Sequence, residues 1–227
     1  MVPGGDAKRA AHNLEGKPRI LPSRRGPPGD NAPKRTHRIT AALSLPAANR
    51  IRIIGGAWRR RVIRFPPAAG VRPTPDRVRE TLFNWLGQDL SGRRCLDPYA
   101  GSGALTLEAA SRGAALAVAV DRNRQLVDAL RASAAALGAS AIEAVVGDAR
   151  TFIANERRNF DVIFLDPPFG DDPWPWLLPE CVGRLLPDGF LHAEAAKALA
   201  PPAGFIPWRR DKAGQVHYHL FIRGEAA

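Results

Sequence analysis

The sequence has few of the residues that mark disulfide-rich, metal-binding or membrane proteins. It contains two cysteines, Cys95 and Cys181, which lie far apart and lack the spacing of a metal site. We interpret them as reduced, buried thiols. No stretch is long and apolar enough to span a bilayer, and the first residues lack the apolar core of a signal peptide. We therefore expect a cytoplasmic protein with no membrane partner and no metal.

Acidic residues are scarce at the start of the chain. Residues 1–64 carry 15 Lys and Arg against 3 Asp and Glu, whereas the remaining 163 residues carry 18 against 19. The whole excess of the +11 net charge therefore lies in the first quarter of the chain. A near-neutral body with a basic front end is typical of proteins that bind a polyanion. A merely solubilising tail is the alternative interpretation.

Aromatic residues are missing before Trp58, and residues 1–48 contain seven prolines and five glycines. Such a segment cannot bury enough apolar surface to offset the entropy lost on ordering. We predict a disordered basic tail over residues 1–48, either a flexible arm or the product of an over-extended start site.

The stretch RIRIIGGAWRRRVIRF, residues 50–65, alternates basic and apolar residues on both sides of a Gly-Gly pair. This pattern predicts a β-hairpin within residues 49–72, with Ile51 and Ile53 on its apolar face. Six arginines and no acid occur in residues 50–64, which favours nucleic-acid contact over an ordinary solvated face. The candidate RNA-contacting residues of the hairpin are Arg50, Arg52, Trp58, Arg59, Arg60 and Arg61.

Residues 73–227 alternate strand and helix patterns, which predicts an α/β domain. A first helix would be capped by Thr74, begin at Pro75 and stop at Gly87. The later pattern places a helix ending near Leu186 and a closing hairpin that turns at residues 212–214. We predict a Rossmann-like, mostly parallel seven-stranded sheet with helices on both faces and an antiparallel C-terminal hairpin.

Four predicted strands end in an acid: Asp97, Asp121, Asp148 and Asp166. In doubly wound sheets the carboxyl ends of the strands form the ligand crevice, so these acids should converge. Gly101 and Gly103 would let the backbone approach a ligand closely. A dinucleotide fingerprint fails, because Thr106 occupies the place of the third small residue, and a pyrophosphate would face acids. S-adenosylmethionine has no phosphate and carries two cationic groups, so an acidic crevice suits it.

On this hypothesis Asp97 and the backbone of residues 101–103 hold the methionine part of the cofactor. Asp121 would accept hydrogen bonds from the ribose hydroxyls. Asp148, with Ala149 nearby, would accept from the adenine amino group. Each aspartate alone is more often a helix cap or a turn former. Three neighbours of these acids complete the candidate cofactor site: Tyr99, Ala100 and Arg122.

The motifs DPYAGSG, GDA and DPPF resemble those of class I S-adenosylmethionine-dependent methyltransferases. The flanking stretches RIIGGAWRRRVIRFP and RPTPDRVRETLFNWL, with the terminal G-x-V-x-Y hairpin, are similar to the RsmD family. That resemblance covers about residue 50 to the end. It implies a bacterial enzyme that methylates guanine N2 in small-subunit (16S) ribosomal RNA.

This sequence departs from the family pattern at several positions. The family more usually has Phe at position 99, Gly at 106 and Glu at 121, where this chain has Tyr, Thr and Asp. Ser133 stands where an Asn is expected. Asp121 keeps the carboxylate and Tyr99 keeps the aromatic ring.

The resemblance implies roles for the DPPF residues, Asp166, Pro167, Pro168 and Phe169. The exocyclic amine of guanine is a poor nucleophile, and two acceptors can orient its lone pair. Asp166 and the Pro167 carbonyl would be those acceptors, fixed in place by the prolines. Phe169 would stack on a base turned out of its stack. A plain turn after a strand is the alternative.

The RNA surface would include Arg72, Thr74 and Arg77 beside the hairpin, with ribosomal RNA or an assembling 30S particle as the partner of a monomeric enzyme. Two rival functions remain open from the sequence. One is methylation of another amine, such as adenine N6 or a protein glutamine, by the same fold. The other is a non-catalytic RNA-binding assembly factor.

Overall fold

The computed structural model describes residues 49–68, 71, 73–168, 170 and 172–224, so the predicted tail over residues 1–48 lies outside it. The strands are β1 Asn49–Arg52, β2 Val62–Phe65, β3 Arg94–Asp97, β4 Leu116–Asp121, β5 Ile142–Val146, β6 Phe160–Leu165, β7 Leu185–Ala195, β8 Phe205–Ala213 and β9 Val216–Arg223. The helices are α1 Asp76–Leu86, α2 Ala104–Ser111, α3 Arg124–Leu137, α4 Ala149–Asn155 and α5 Trp174–Val182.

Seven strands form one sheet in the order β5-β4-β3-β6-β7-β9-β8. The five strands from β5 to β7 are parallel, whereas β9 is antiparallel to both β7 and β8. The predicted Rossmann-like sheet with an antiparallel C-terminal hairpin is confirmed. The chain passes from β5 back across β4 and β3 to β6, so the order of the strands reverses beside β3 and the carboxyl ends of β3, β4 and β6 border one crevice.

Helices cover both faces of the sheet. On one face, α1 and α2 bury Phe83 and Leu105 against strand residues that include Cys95 and Phe164. On the other face, α4 and α5 bury Ile153, Leu177 and Cys181. Both cysteines are free and buried, as predicted. Among the described helices, none has the length and apolarity needed to cross a membrane.

The N-terminal hairpin alternates as its sequence predicts. β1 and β2 pair antiparallel with Arg50 opposite Arg64. The apolar side is buried against α2 and α3, and its residues are Ile51, Ile53, Ile63 and Phe65. Arg50, Arg52 and Arg64 are exposed on the opposite side. The hairpin thus adds a third layer outside the helices and turns its arginines to solvent.

Two sequence predictions about helix ends are wrong. Thr74 does not cap α1, because Pro75 occupies the N-cap position and no side chain bonds the first turn. Instead the Thr74 carbonyl accepts a hydrogen bond from Arg79 Nε at 3.0 Å. The later helix ends at Val182 rather than near Leu186, since β7 already begins at Leu185 and Leu185 pairs with Phe160 of β6. The predicted stop of α1 at Gly87 is confirmed by its positive φ of 93°.

A buried ionic cluster fastens the hairpin to the sheet domain. Glu108 of α2, which is 0% exposed, forms an ion pair with Arg79 at 2.6 Å and another with Arg112. Its Oε1 also accepts a hydrogen bond from the Ile54 backbone N–H at 2.7 Å. Arg79 in turn donates to the Arg52 carbonyl at 3.0 Å. A single buried carboxylate therefore holds α1, α2 and the hairpin in one arrangement.

We expect Glu108→Ala to lower the free energy of unfolding by about 3–5 kcal/mol, because two buried guanidinium groups lose their counter-charge. The matched control is Glu143→Ala, which breaks a half-exposed ion pair with Arg158 and should cost about 1 kcal/mol or less. Urea unfolding followed by circular dichroism measures both. Equal losses in the two variants would show that the buried cluster contributes no more than a surface pair.

Candidate active site

The loop between β3 and α2 is built by backbone bonds to the end of β4. The Ala100 N–H donates to the Val120 carbonyl at 3.0 Å. The Gly101 N–H donates to Asp121 Oδ2 at 2.8 Å, while Asp121 Oδ1 accepts from the Asn123 N–H at 2.7 Å. Asp121 therefore fixes the glycine loop as well as standing at the crevice. Each of its oxygens keeps a second lone pair that could accept from a ligand hydroxyl.

The two loop glycines are required for different reasons. Gly101 and Gly103 have φ of 51° and 74°, in the region that L side chains rarely adopt. A Cβ at Gly101 would meet only ordinary contacts, whereas one at Gly103 would lie 2.6 Å from Leu130 Cδ1. Gly103 thus leaves room for Leu130 of α3, and the close approach of the loop to a ligand stays a prediction.

Asp97 is a buried acid at the end of β3. It is 2% exposed, and its Oδ2 accepts a hydrogen bond from the Thr106 hydroxyl at 2.7 Å. Burial raises the pKa of Asp97 to about 7, and the Thr106 hydroxyl works against that rise. Thr106, which looked like a departure from a glycine motif, is thus the donor that stabilises the Asp97 anion.

Asp166 and Glu194 stand side by side on neighbouring strands. β6 and β7 are parallel with Leu165 opposite Ala193, which places the next residue of each strand in the same row and on the same face. Burial raises the pKa of Asp166 well above its ordinary value, and the negative charges of Glu194 and Asp97 raise it further. Glu194 is buried and contacts His192 Nε2 at 3.2 Å. Glu194 was not among the residues predicted for the site, although an acid within an apolar strand indicates a functional position.

Asp148 is both a helix cap and a crevice residue. Its Oδ1 accepts from the Thr151 N–H at 3.0 Å, which caps α4, and this bond lowers its pKa. Its Oδ2 lies 4.0 Å from Arg122 Nη2. Ala149 is buried in the first turn of α4. Asp148 therefore caps α4 and also lines the cavity of the crevice, while its contact with an adenine amino group stays a prediction.

A cavity of about 450 Å³ lies between the loops that follow β3, β4, β5 and β6. Five of the predicted site residues line it, namely Tyr99, Arg122, Asp148, Pro167 and Pro168. Arg150 and Trp176 were not predicted, and the Arg150 guanidinium lies over the Trp176 ring at 5.1 Å from its centroid. Their flat stacked surface is a suitable wall for a planar ring.

The predicted RNA-contacting residues separate into exposed and buried groups. Arg50, Arg52, Arg59, Arg60, Arg61 and Arg77 are exposed. Trp58 is half-buried against the core, and Thr74 is 8% exposed, so the prediction that Thr74 contacts RNA is corrected. Arg72 and Phe169 lie outside the described residues.

The turn that carries Arg59–Arg61 lies beside the C-terminal end of α2. The Ala57 N–H donates to the Ser111 carbonyl at 2.7 Å, and the Trp58 N–H donates to Ser111 Oγ at 3.0 Å. α2 has eight residues, so this turn is about 12 Å from the glycine loop at the other end of the helix. The arginine turn therefore lies at the opposite end of α2 from the glycine loop.

The donor set of the crevice suits S-adenosylmethionine. Among the described residues, no Lys or Arg side chain forms an ion pair with Asp97, Asp166 or Glu194. Buried acids without a counter-charge favour a ligand that brings positive charge. When bound, the cofactor supplies an electrophilic methyl group on a sulfonium.

Comparison with known proteins agrees with this geometry. Residues 51–222 match the family model described as Conserved hypothetical protein 95. The chain is 40% identical over 185 residues to ribosomal RNA small subunit methyltransferase D of Escherichia coli K12, covering 78% of this chain and 91% of that protein. The same enzyme of Haemophilus influenzae is 33% identical, covering 77% and 95%.

Solved structures show the same fold. The methyltransferase yhhF of Escherichia coli has a TM-score of 0.68 at 37% identity, covering 77% of this chain and 98% of that one. A 16S rRNA N2 G1207 methyltransferase of Thermus thermophilus, in complex with AdoMet and guanosine, has a TM-score of 0.61 at 26% identity. That match covers 78% of this chain and 50% of the other. S-adenosylmethionine is the cofactor, as the acidic crevice predicts.

We expect Thr106→Ala to weaken S-adenosylmethionine binding by roughly tenfold at pH 7, since loss of a charge-assisted hydrogen bond raises the pKa of Asp97 and leaves it protonated. The loss should shrink at pH 8.5, where Asp97 is ionised in both proteins. Isothermal titration calorimetry at the two pH values measures it. Thr106→Ser keeps the hydroxyl and should bind like the unmodified chain. A loss of equal size at both pH values would contradict this role.

Proposed function

The chain belongs to the RsmD family of S-adenosylmethionine-dependent rRNA methyltransferases, and we propose that it methylates the exocyclic N2 amine of a guanine in small-subunit (16S) ribosomal RNA. The observation that carries the proposal is the position of Asp166 and Pro167 at the end of β6, beside the acidic crevice. Relatives named small subunit methyltransferase D, and a neighbour crystallised with AdoMet and guanosine, support the choice of substrate.

The chain's own residues would position the amine. Asp166 and the Pro167 carbonyl accept its two N–H groups, which turns the nitrogen lone pair toward the methyl group. Pro167 and Pro168 restrict the backbone, so these acceptors are pre-organised. Asp166 directly follows β6, a central strand that pairs with β3 on one side and with β7 on the other. The sheet therefore holds the backbone that leads into Asp166.

Asp166 would also receive the proton that the amine loses. A carboxyl group with a raised pKa accepts a proton more readily than an ordinary aspartate does. Burial, with the adjacent negative charges of Glu194 and Asp97, maintains that raised pKa. Transfer of the proton from Asp166 to water would complete the cycle.

The exposed arginines would hold the RNA by its phosphates. Arg50, Arg52 and Arg64 lie on the outer face of the hairpin, and Arg59–Arg61 lie at its turn. Arg60 has a φ of 72°, a conformation that non-glycine residues rarely adopt and that is enriched at functional sites. Phosphate contacts of this kind supply affinity without reading sequence. Either free RNA or an assembling 30S particle would meet this surface.

The proposed reaction predicts one modified nucleoside. Incubation with tritiated S-adenosylmethionine and small subunits that lack the modification, followed by digestion, should yield N2-methylguanosine. Asp166→Ala should still bind the cofactor, because Asp97 and Glu194 remain, and should lose transfer by at least a hundredfold, whereas Asp166→Asn keeps one acceptor oxygen and should lose less. N6-methyladenosine as the product would favour the adenine alternative. Absence of any transfer would favour a non-catalytic assembly factor, and normal turnover of Asp166→Ala would refute the mechanism.

Replacement of Arg59, Arg60 and Arg61 by alanine should weaken RNA binding and reduce the slope of log affinity against log salt by about 2, because each phosphate contact on single-stranded RNA contributes about 0.7. Fluorescence anisotropy over a salt series measures the slope. The triple lysine replacement keeps the charge and should keep the slope. An unchanged slope in the alanine variant would remove the hairpin turn from the RNA surface.

A further inference from the structure

The outer strand of the sheet carries a basic surface that the proposed function does not use. β8 is the edge strand next to β9, and the six residues from Pro207 to Lys212 are all exposed. An edge strand alternates its side chains between two faces, so exposure of six in a row means that both faces meet solvent there. Three of the six carry positive charge, namely Arg209, Arg210 and Lys212.

The single acid in this stretch is already engaged. Asp211 Oδ2 accepts a hydrogen bond from the Tyr218 hydroxyl at 2.8 Å, and Oδ1 accepts from the Lys212 N–H at 2.7 Å. Within the described part of the chain, Arg210 and Lys212 form no ion pair. Their positive charges are therefore available to a partner.

A β-bulge at Trp208 adds an aromatic ring to this surface. Pro207 pairs with Phe221 and Arg209 pairs with Leu220, so Trp208 is an extra residue on β8 with no partner of its own. Trp208 is 43% exposed, and the Arg209 guanidinium lies over its ring at 4.4 Å from the centroid. Bulges re-aim side chains and are frequent near functional sites. An exposed tryptophan with arginines around it is the combination that binds single-stranded nucleic acid.

The surface lies at the same end of the sheet as Asp166. Lys212 pairs with His217 of β9, and His217 pairs with Ala195 of β7, one row beyond Glu194. Since Glu194 adjoins Asp166 of β6, three strand spacings separate Asp166 from Lys212, or about 14 Å. A few nucleotides of single-stranded RNA can bridge that separation. The N-terminal hairpin packs on α2 and α3, and its Arg52 pairs with Asp76 of α1 at 3.0 Å, next to Arg77, whose charge acts on Asp211 of β8.

We propose that β8 is a second RNA-contacting surface, formed by Trp208, Arg209, Arg210 and Lys212, which holds the strand that flanks the target nucleotide. The inference rests on the proposed function and extends the RNA-contacting surface from Arg77, beside the hairpin, to β8. Arg210 and Lys212 follow one another at alternate positions on one face of β8, where each can reach a phosphate. Trp208 and Arg209 offer a stacking surface to an unpaired base.

The test compares Arg210→Ala/Lys212→Ala with Arg131→Ala/Arg157→Ala, which removes the same charge elsewhere. Arg131 is exposed and bonds the Ala144 carbonyl of β5, the opposite edge strand, and Arg157 is exposed after α4. With 16S rRNA transcribed in vitro, the first variant should bind roughly tenfold more weakly at low salt, with a slope smaller by about 1.4. Trp208→Ala should weaken binding without changing the slope.

Three results would overturn the proposal. The first is a β8 variant that binds RNA like the unmodified chain, and the second is an equal loss in the control variant. The third is a β8 variant that binds RNA normally but self-associates in sedimentation. That result would show that Arg210 and Lys212 only prevent the open edge strand from pairing with another molecule. RNA binding decides the role of β8, whereas the identity of the methylated nucleoside decides the proposed function, so the two can fail separately.

Discussion

Buried negative charge at the carboxyl ends of three neighbouring strands is the constraint on which the site depends. Asp97, Asp166 and Glu194 are placed there by the parallel order β3-β6-β7, and no arginine or lysine among the described residues pairs with them. Burial of unpaired carboxylates is unfavourable, and the raised pKa values of Asp97 and Asp166 are its direct consequence. A cationic cofactor relieves that cost, so the same feature that weakens the free protein favours its ligand.

Elsewhere the fold handles buried charge in the opposite way. Glu108 is buried like Asp97 and Glu194, but two guanidinium groups and a backbone N–H satisfy it. That satisfied cluster joins the hairpin to the helices, whereas no arginine or lysine among the described residues pairs with the acids of the crevice. This one chain therefore contains two kinds of buried carboxylate, which differ in whether a positively charged side chain pairs with them.

Some elements of the fold and site could be predicted because their signals are local. The alternation of Ile51 and Ile53 with arginines predicted which face of the hairpin is buried, and the acids at the strand ends predicted where the crevice lies. The cap at Thr74 failed because Pro75 took the N-cap position and Arg79 used the Thr74 carbonyl, a contact between neighbours in space. Thr106 was noticed as an exception, but its bond to Asp97 depends on how α2 meets β3. Glu194 stood out locally only as an acid in an apolar strand, and Trp176 gave no local signal, since the role of each depends on the neighbours that the fold supplies.

The sequence by itself determined the class of sheet, the acids that line its edge and the concentration of positive charge in the first quarter of the chain, because periodicity and composition are properties of neighbours along the chain. Only the tertiary structure decided which acids lie together, that the arginine turn stands about a helix length from the glycine loop, and that the basic residues of β8 face solvent at the same end as Asp166. Those facts depend on strand order and register, and both are fixed by contacts between residues that lie far apart in the sequence.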